Sequence, residues 1–132
     1  MDIEVSFPGG ARVDARIGPH TVRTDQPHES GGEASAASPF ETFLASIGTC
    51  AGIYVLGFCK RRGLSADGVR IVERVETDPA THMVHTIRLD IHVPAGFPEE
   101  YRGALIRSAD LCAVKKHMEN PPRFEISTVS DG

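Results

Sequence analysis

The chain has 132 residues, 40% of them hydrophobic and 24% charged, which is the balance of one ordinary globular domain and excludes a fibrous repeat or a disordered tract. Eighteen acidic residues stand against 14 basic ones, a net charge of −4 that argues against gripping nucleic acid by its phosphates. With no Trp, 6 Phe and 2 Tyr, extended base stacking is excluded as well.

The opening residues Met1-Asp2-Ile3-Glu4-Val5-Ser6-Phe7 alternate apolar and polar side chains. They carry neither the basic end nor the apolar run of a secretion signal, so the expected location is the cytoplasm. There Cys50, Cys59 and Cys112 stay as thiols unless they bind metal or do redox chemistry.

Ile3, Val5 and Phe7 mark one face of a first strand, and Pro8-Gly9-Gly10 a turn. Val13, Ala15 and Ile17 mark a second strand, Gly18-Pro19 another turn, and His20 to Thr24 a short third strand. Asp25 to Ala37 is rich in Pro, Gly, Ser and Glu and reads as a loop long enough to suggest a functional or interface role.

Ser38-Pro39-Phe40-Glu41 is a helix-start signal: Ser38 caps, Pro39 suits the first turn and Glu41 closes a capping box. The helix is expected to run to Arg62 and end at Gly63, roughly 36 Å at about 1.5 Å per residue. From Thr42 to Cys59 it carries no charge. That approaches the roughly 18 residues of a membrane span, but its Thr, Ser and Gly content and the strands around it favour a buried central helix.

Val69 to Glu76 reads as a strand, Asp78-Pro79 as a turn, and Met83 to Val93 as a strand of period two. A helix is expected from Pro98 through Ile106, a break near Asp110, and a further turn or two over Cys112 to His117. Asn120-Pro121-Pro122 stops it, and Phe124, Ile126 and Thr128 suggest a closing strand. The order predicts an α+β fold, a long central helix wrapped by mostly antiparallel sheet, in a single domain over residues 1–132.

Chemistry is concentrated at two cysteines. Cys50 lies between Gly48 and Gly52, and each glycine costs a helix interior roughly 1 kcal/mol relative to alanine. Either close packing of another element or access to the thiol would repay that cost, so a packing thiol and a reactive one both fit. Cys112 falls near a helix start, where the macrodipole favours a thiolate, with Lys115, Lys116 and His117 just downstream; a structural role fits there equally. Cys59 is turned by about 180° from Cys50 and reads as packing. The six histidines are scattered, with His85 and His92 on opposite strand faces, and no zinc spacing, phosphate loop or dinucleotide fingerprint occurs. Neither metal nor cofactor is expected.

The run Ser38-Pro39-Phe40-Glu41-Thr42-Phe43-Leu44-Ala45-Ser46-Ile47-Gly48-Thr49-Cys50, followed later by Leu111-Cys112-Ala113-Val114, resembles the OsmC/Ohr family of osmotically inducible and organic hydroperoxide resistance proteins. The likeness is to the short OsmC-like branch and covers nearly the whole chain. It implies an intertwined homodimer with cysteine sites at the subunit boundary. It also implies that Cys50 is a peroxidatic thiolate that becomes a sulfenic acid, and that Cys112 resolves it as a disulfide. A thiol or dihydrolipoyl protein would then reduce the pair.

The family's enzymes carry a Glu directly after the Pro, which holds an Arg of the amino-terminal hairpin over the thiolate. Here Phe40 occupies that position and Glu41 follows it; Arg12 or Arg16 is the candidate Arg. Ala113 stands where the family often has Pro. The implied catalytic set is therefore Cys50, Cys112, Arg12 and Glu41, acting on an organic hydroperoxide. The alternative is a non-catalytic binding or accessory module with an apolar ligand pocket at the dimer interface, suggested by Phe40. A purely structural interaction domain is the third reading.

Overall fold

The computed structural model describes residues 1–132. The fold is α+β, with antiparallel sheets and one long helix, and the chain divides into two compact units, Met1–Ser46 and Ile47–Gly132.

In the first unit, strands β1 (Ile3–Gly9), β2 (Arg12–Ile17) and β3 (His20–Thr24) form an antiparallel sheet in the order β1-β2-β3. Val5 pairs with Ala15, which pairs in turn with Val22, so the alternating apolar residues share one face. Gly10 and Gly18 close the two turns with φ of 58° and 55°, backbone values that L side chains rarely adopt.

The segment after β3 is built around Asp25, whose side chain is 1% exposed. One carboxylate oxygen accepts from the Gln26 N–H at 2.7 Å. The other accepts from the Ser35 N–H at 3.1 Å and the Ser35 hydroxyl at 2.5 Å. These hydrogen bonds hold its carboxyl down at about 2. Gly32 is required here, because a Cβ at that position would lie 1.9 Å from the Gln26 carbonyl oxygen.

Helix α1 (Pro39–Arg61) starts in the first unit and continues into the second. Its entry is a capping box: Ser38 Oγ accepts from the Glu41 N–H at 3.2 Å, and Glu41 Oε1 accepts from the Ser38 N–H at 3.1 Å.

In the second unit α1 buries Ile47, Ala51, Val55, Phe58 and Cys59, one stripe at helical spacing. The helix stops at Gly63, whose φ of 63° lets the Leu64 N–H reach back to the Cys59 carbonyl at 2.9 Å. The guanidinium of Arg62 stacks 4.0 Å over the Phe58 ring, covering the helix end. Strands β4 (Arg70–Thr77) and β5 (Val84–His92) pair antiparallel, with Ile71 opposite Ile91 and Glu73 opposite Leu89. Helices α2 (Arg102–Ala109) and α3 (Ala113–Glu119) follow. The core joins Ala51, Val55, Phe58 and Cys59 of α1 with Phe97 and with Leu105 and Ala109 of α2, and Ile71, Leu89 and Ile91 pack against it. Cys59 thus packs as a small hydrophobe.

One expected element does not form. Residues 121–132 carry no strand, and Phe124 and Ile126 stand 81% and 96% exposed. Alternation marks an extended segment, whereas a strand also needs a neighbour to bond with.

Candidate functional site

Of the two glycines beside Cys50, Gly48 is the one that β4 explains. A Cβ on Gly48 would meet Glu73 Oε2 at 3.2 Å, and one on Gly52 would meet Ile71 Cδ1 at 3.9 Å. Gly48 is therefore the tight position, a notch into which the Glu73 carboxylate settles. Burial pushes that carboxyl up from its ordinary value, and its Oε1 is buried without a hydrogen-bond partner. Glu73 is a polar residue in an otherwise aliphatic face of Ile71, Val75, Ile87, Leu89 and Ile91.

Cys50 projects from a different side of α1, is half-buried, and meets the start of α3. The Val114 N–H donates to its sulfur and is the largest influence holding Cys50 below the usual thiol value of 9.0. Burial works against this, and hydrogen bonds from the Cys112 thiol and the Ala113 N–H reinforce it. Each donor favours the ionised sulfur, because a thiolate accepts hydrogen bonds far better than a thiol does.

Cys112 is the N-cap of α3, with its sulfur accepting from the Lys115 N–H at 3.4 Å. Burial pushes its thiol up, and the neighbouring Cys50 pushes further in the same direction. The α3 amides favour ionisation of Cys50, while burial disfavours it at Cys112, which is 2% exposed. The Cys112 thiol has two acceptors in reach, Cys50 and the Ile47 carbonyl oxygen at 3.9 Å. Both cysteines are free thiols. Lys115 does not stabilise them by charge, for its ammonium pairs with Asp110 and Glu119.

Beside Cys112 lies a cavity of about 580 Å³. Ile47, Ile87, Leu89, Ile91 and Ile106 line it together with Asp90, Asp110, Lys115 and Cys112; Cys50 does not. No sequence signal reveals this cavity, because α1, β5 and α2 contribute to it together.

The other two residues of the expected set lie in the first unit. Arg12 Nε donates to the Gly9 carbonyl at 3.2 Å across the β1–β2 turn. Its alternative, Arg16, pairs with Glu4 at 3.0 Å. Glu41 is engaged in the capping box, and the Ser38 hydrogen bonds lower its carboxyl. No cluster of three or more His, Cys, Asp or Glu side chains has the arrangement of a metal site.

The fold is thus α+β, with a half-buried cysteine of lowered pKa on the long helix and a second, buried cysteine beside it. A family model described as OsmC-like protein matches residues 31–127, and the chain belongs to that family. No curated protein matches it significantly. Among solved structures, one similar protein is assigned to the osmotic stress and detoxification response of Psychrobacter arcticus 273-4. It is 17% identical, with 86% of this chain and 85% of that one aligned at a TM-score of 0.74. Another is an organic hydroperoxide resistance protein OsmC from Legionella pneumophila, 19% identical over 89% of each chain at a TM-score of 0.56. At these identities the likeness establishes the shared fold.

Proposed function

We propose that this protein reduces organic hydroperoxides with the Cys50–Cys112 pair. The observation that carries the reading is the division of labour between the sulfurs: hydrogen bonds from Val114, Cys112 and Ala113 favour ionisation of Cys50, and burial keeps Cys112 protonated. The Cys50 thiolate attacks one peroxide oxygen, the O–O bond breaks, and the alcohol leaves once its alkoxide takes a proton. Cys50 becomes a sulfenic acid. The Cys112 sulfur then attacks the Cys50 sulfur, the S–O bond breaks and water leaves, so the disulfide holds the oxidising equivalents. Reduction by two thiols returns the starting state.

Arg12 and Glu41 are proposed as supports of this chemistry, on the family resemblance alone. Homodimerisation belongs to the same reading: Ile53 stands 60% exposed on the apolar helix α1, a surface suited to a second copy. Replacing Cys50 by Ser and following consumption of cumene hydroperoxide tests the assignment. Loss of turnover supports it, and unchanged turnover rejects it. The cavity, with five Ile and Leu side chains among its lining, favours a second reading, a binding module for an apolar ligand, in which hydroperoxide leaves all thiols intact.

A further inference from the structure

We propose that the His117 imidazole is a positioning residue for the Cys50 thiolate, acting through the Ala113–Val114 peptide. The inference rests on the reading that Cys50 reacts as a thiolate, and it concerns a side chain outside the cysteine pair.

Two hydrogen bonds meet on one peptide unit. His117 Nδ1 lies 2.7 Å from the Ala113 carbonyl oxygen, one helical turn back along α3. A carbonyl oxygen only accepts, so Nδ1 carries the proton and the imidazole donates. At the other edge of the same amide plane, the Val114 N–H donates to the Cys50 sulfur. The contacts thus run from the imidazole, across a single amide, to the sulfur.

The first turn of α3 is held in place for this. The Cys112 sulfur approaches the Ile47 carbonyl oxygen at 3.9 Å, in the turn of α1 that leads to Cys50. Around Cys112 itself, the Lys115 N–H reaches the sulfur at 3.4 Å and the Lys116 N–H reaches the carbonyl at 3.1 Å. The peptide that follows Ala113 is therefore fixed at both ends of its dipole.

The imidazole adds polarisation. Donation to the carbonyl draws electron density toward oxygen and away from nitrogen, and hydrogen bonds chained in this way strengthen one another by about 10–30% each. The Val114 N–H becomes a better donor, and a charged acceptor such as a thiolate gains most from it. The helix has little need of the contact. His117 is exposed, a carbonyl oxygen keeps a second lone pair for the helical N–H, and the Asn120 N–H closes α3 on the Lys116 carbonyl at 3.0 Å. The nearby cation of Lys115 does not substitute for it, because Asp110 and Glu119 hold that ammonium.

Two variants separate this role from support of the helix. His117→Asn keeps an N–H donor at the δ position and has about the helix propensity of the original residue, whereas His117→Ala removes the donor and raises the propensity. Each full chain is alkylated with iodoacetamide across a pH series, and the rate at Cys50 is read by peptide mapping. No peroxide enters, so a protein without peroxidase activity leaves the comparison intact. The midpoint of the unmutated chain reports separately whether Cys50 is acidic. His117→Ala is expected to raise the Cys50 midpoint by about 0.3 of a pH unit or more, a roughly twofold loss of rate below the midpoint. His117→Asn is expected to recover at least half of that shift. A midpoint unmoved in His117→Ala overturns the proposal. So does a recovery of less than half in His117→Asn, because a role in helix stability alone would favour His117→Ala over His117→Asn.

Discussion

Cys50, in the middle of α1, and Cys112, the N-cap of α3, each shift the acidity of the other. Hydrogen bonds favour charge on the half-buried sulfur, and desolvation suppresses it on the buried one.

If α3 amides hold the Cys50 thiolate, removing one of them weakens it. Ala113→Pro deletes an N–H that donates to Cys50, and proline is well suited to the first position of a helix. The pH midpoint for alkylation of Cys50 by iodoacetamide should rise, with alkylation at pH 7 slower by several-fold, while the fold persists by circular dichroism. An unshifted midpoint assigns the acidity elsewhere.

Cys112→Ser separates attack from resolution. The variant should still lose the Cys50 thiol to hydroperoxide, now as a sulfenic acid that dimedone captures, and should form no intramolecular bridge. Absence of a dimedone adduct on Cys50 would count against its role as the attacking sulfur.

Glu73 should cost the fold stability at neutral pH. Burial raises its folded-state carboxyl above the ordinary 4.5, so the native state holds the proton more tightly than the unfolded chain. Stability on this account is fully present below the ordinary value and is lost as pH rises through the raised one. Glu73→Gln should therefore be more stable than the wild type at pH 7, by about 1 kcal/mol if the amide satisfies the buried position. The gap should shrink at pH 4, as urea denaturation at both pH values would show. A Gln variant less stable at pH 7 would mean that the charged carboxylate has a favourable partner.

Asp25 has the opposite sign. Its folded value is about 2 against an ordinary 3.8, so its contribution is present above the ordinary value and is lost as pH falls through the folded one. Asp25→Asn should loosen the segment from Gln26 to Ala37 and make it sensitive to limited proteolysis at pH 7. Acidifying the wild type from pH 4 toward pH 2 should produce the same sensitivity; a segment resistant in both cases contradicts this view of the loop.

Much of this arrangement was legible in residue order. Ser38, Pro39 and Glu41 announce the start of α1 because capping is a local interaction, and Met83 to Val93 announces β5 because a strand repeats every two residues. The placement of Cys112 at a helix start was visible for the same reason. Which sulfur benefits from the α3 amides was not, since backbone N–H groups leave no mark in a sequence. Glu73 left a faint one, an acid in phase with Ile71 and Val75, but its contact with Gly48 depends on how β4 meets α1. The cavity left none. The alternation of Phe124 and Ile126 indicated an extended segment correctly and a bonded strand incorrectly, because pairing depends on a neighbour that local pattern does not specify.

The most direct measurement is the thiol count of the denatured protein before and after one equivalent of cumene hydroperoxide, with no reductant added. Three thiols should fall to one, and peptide mapping should find the survivor at Cys59 and the bridge between Cys50 and Cys112. Three thiols remaining, or a bridge that includes Cys59, would contradict the account.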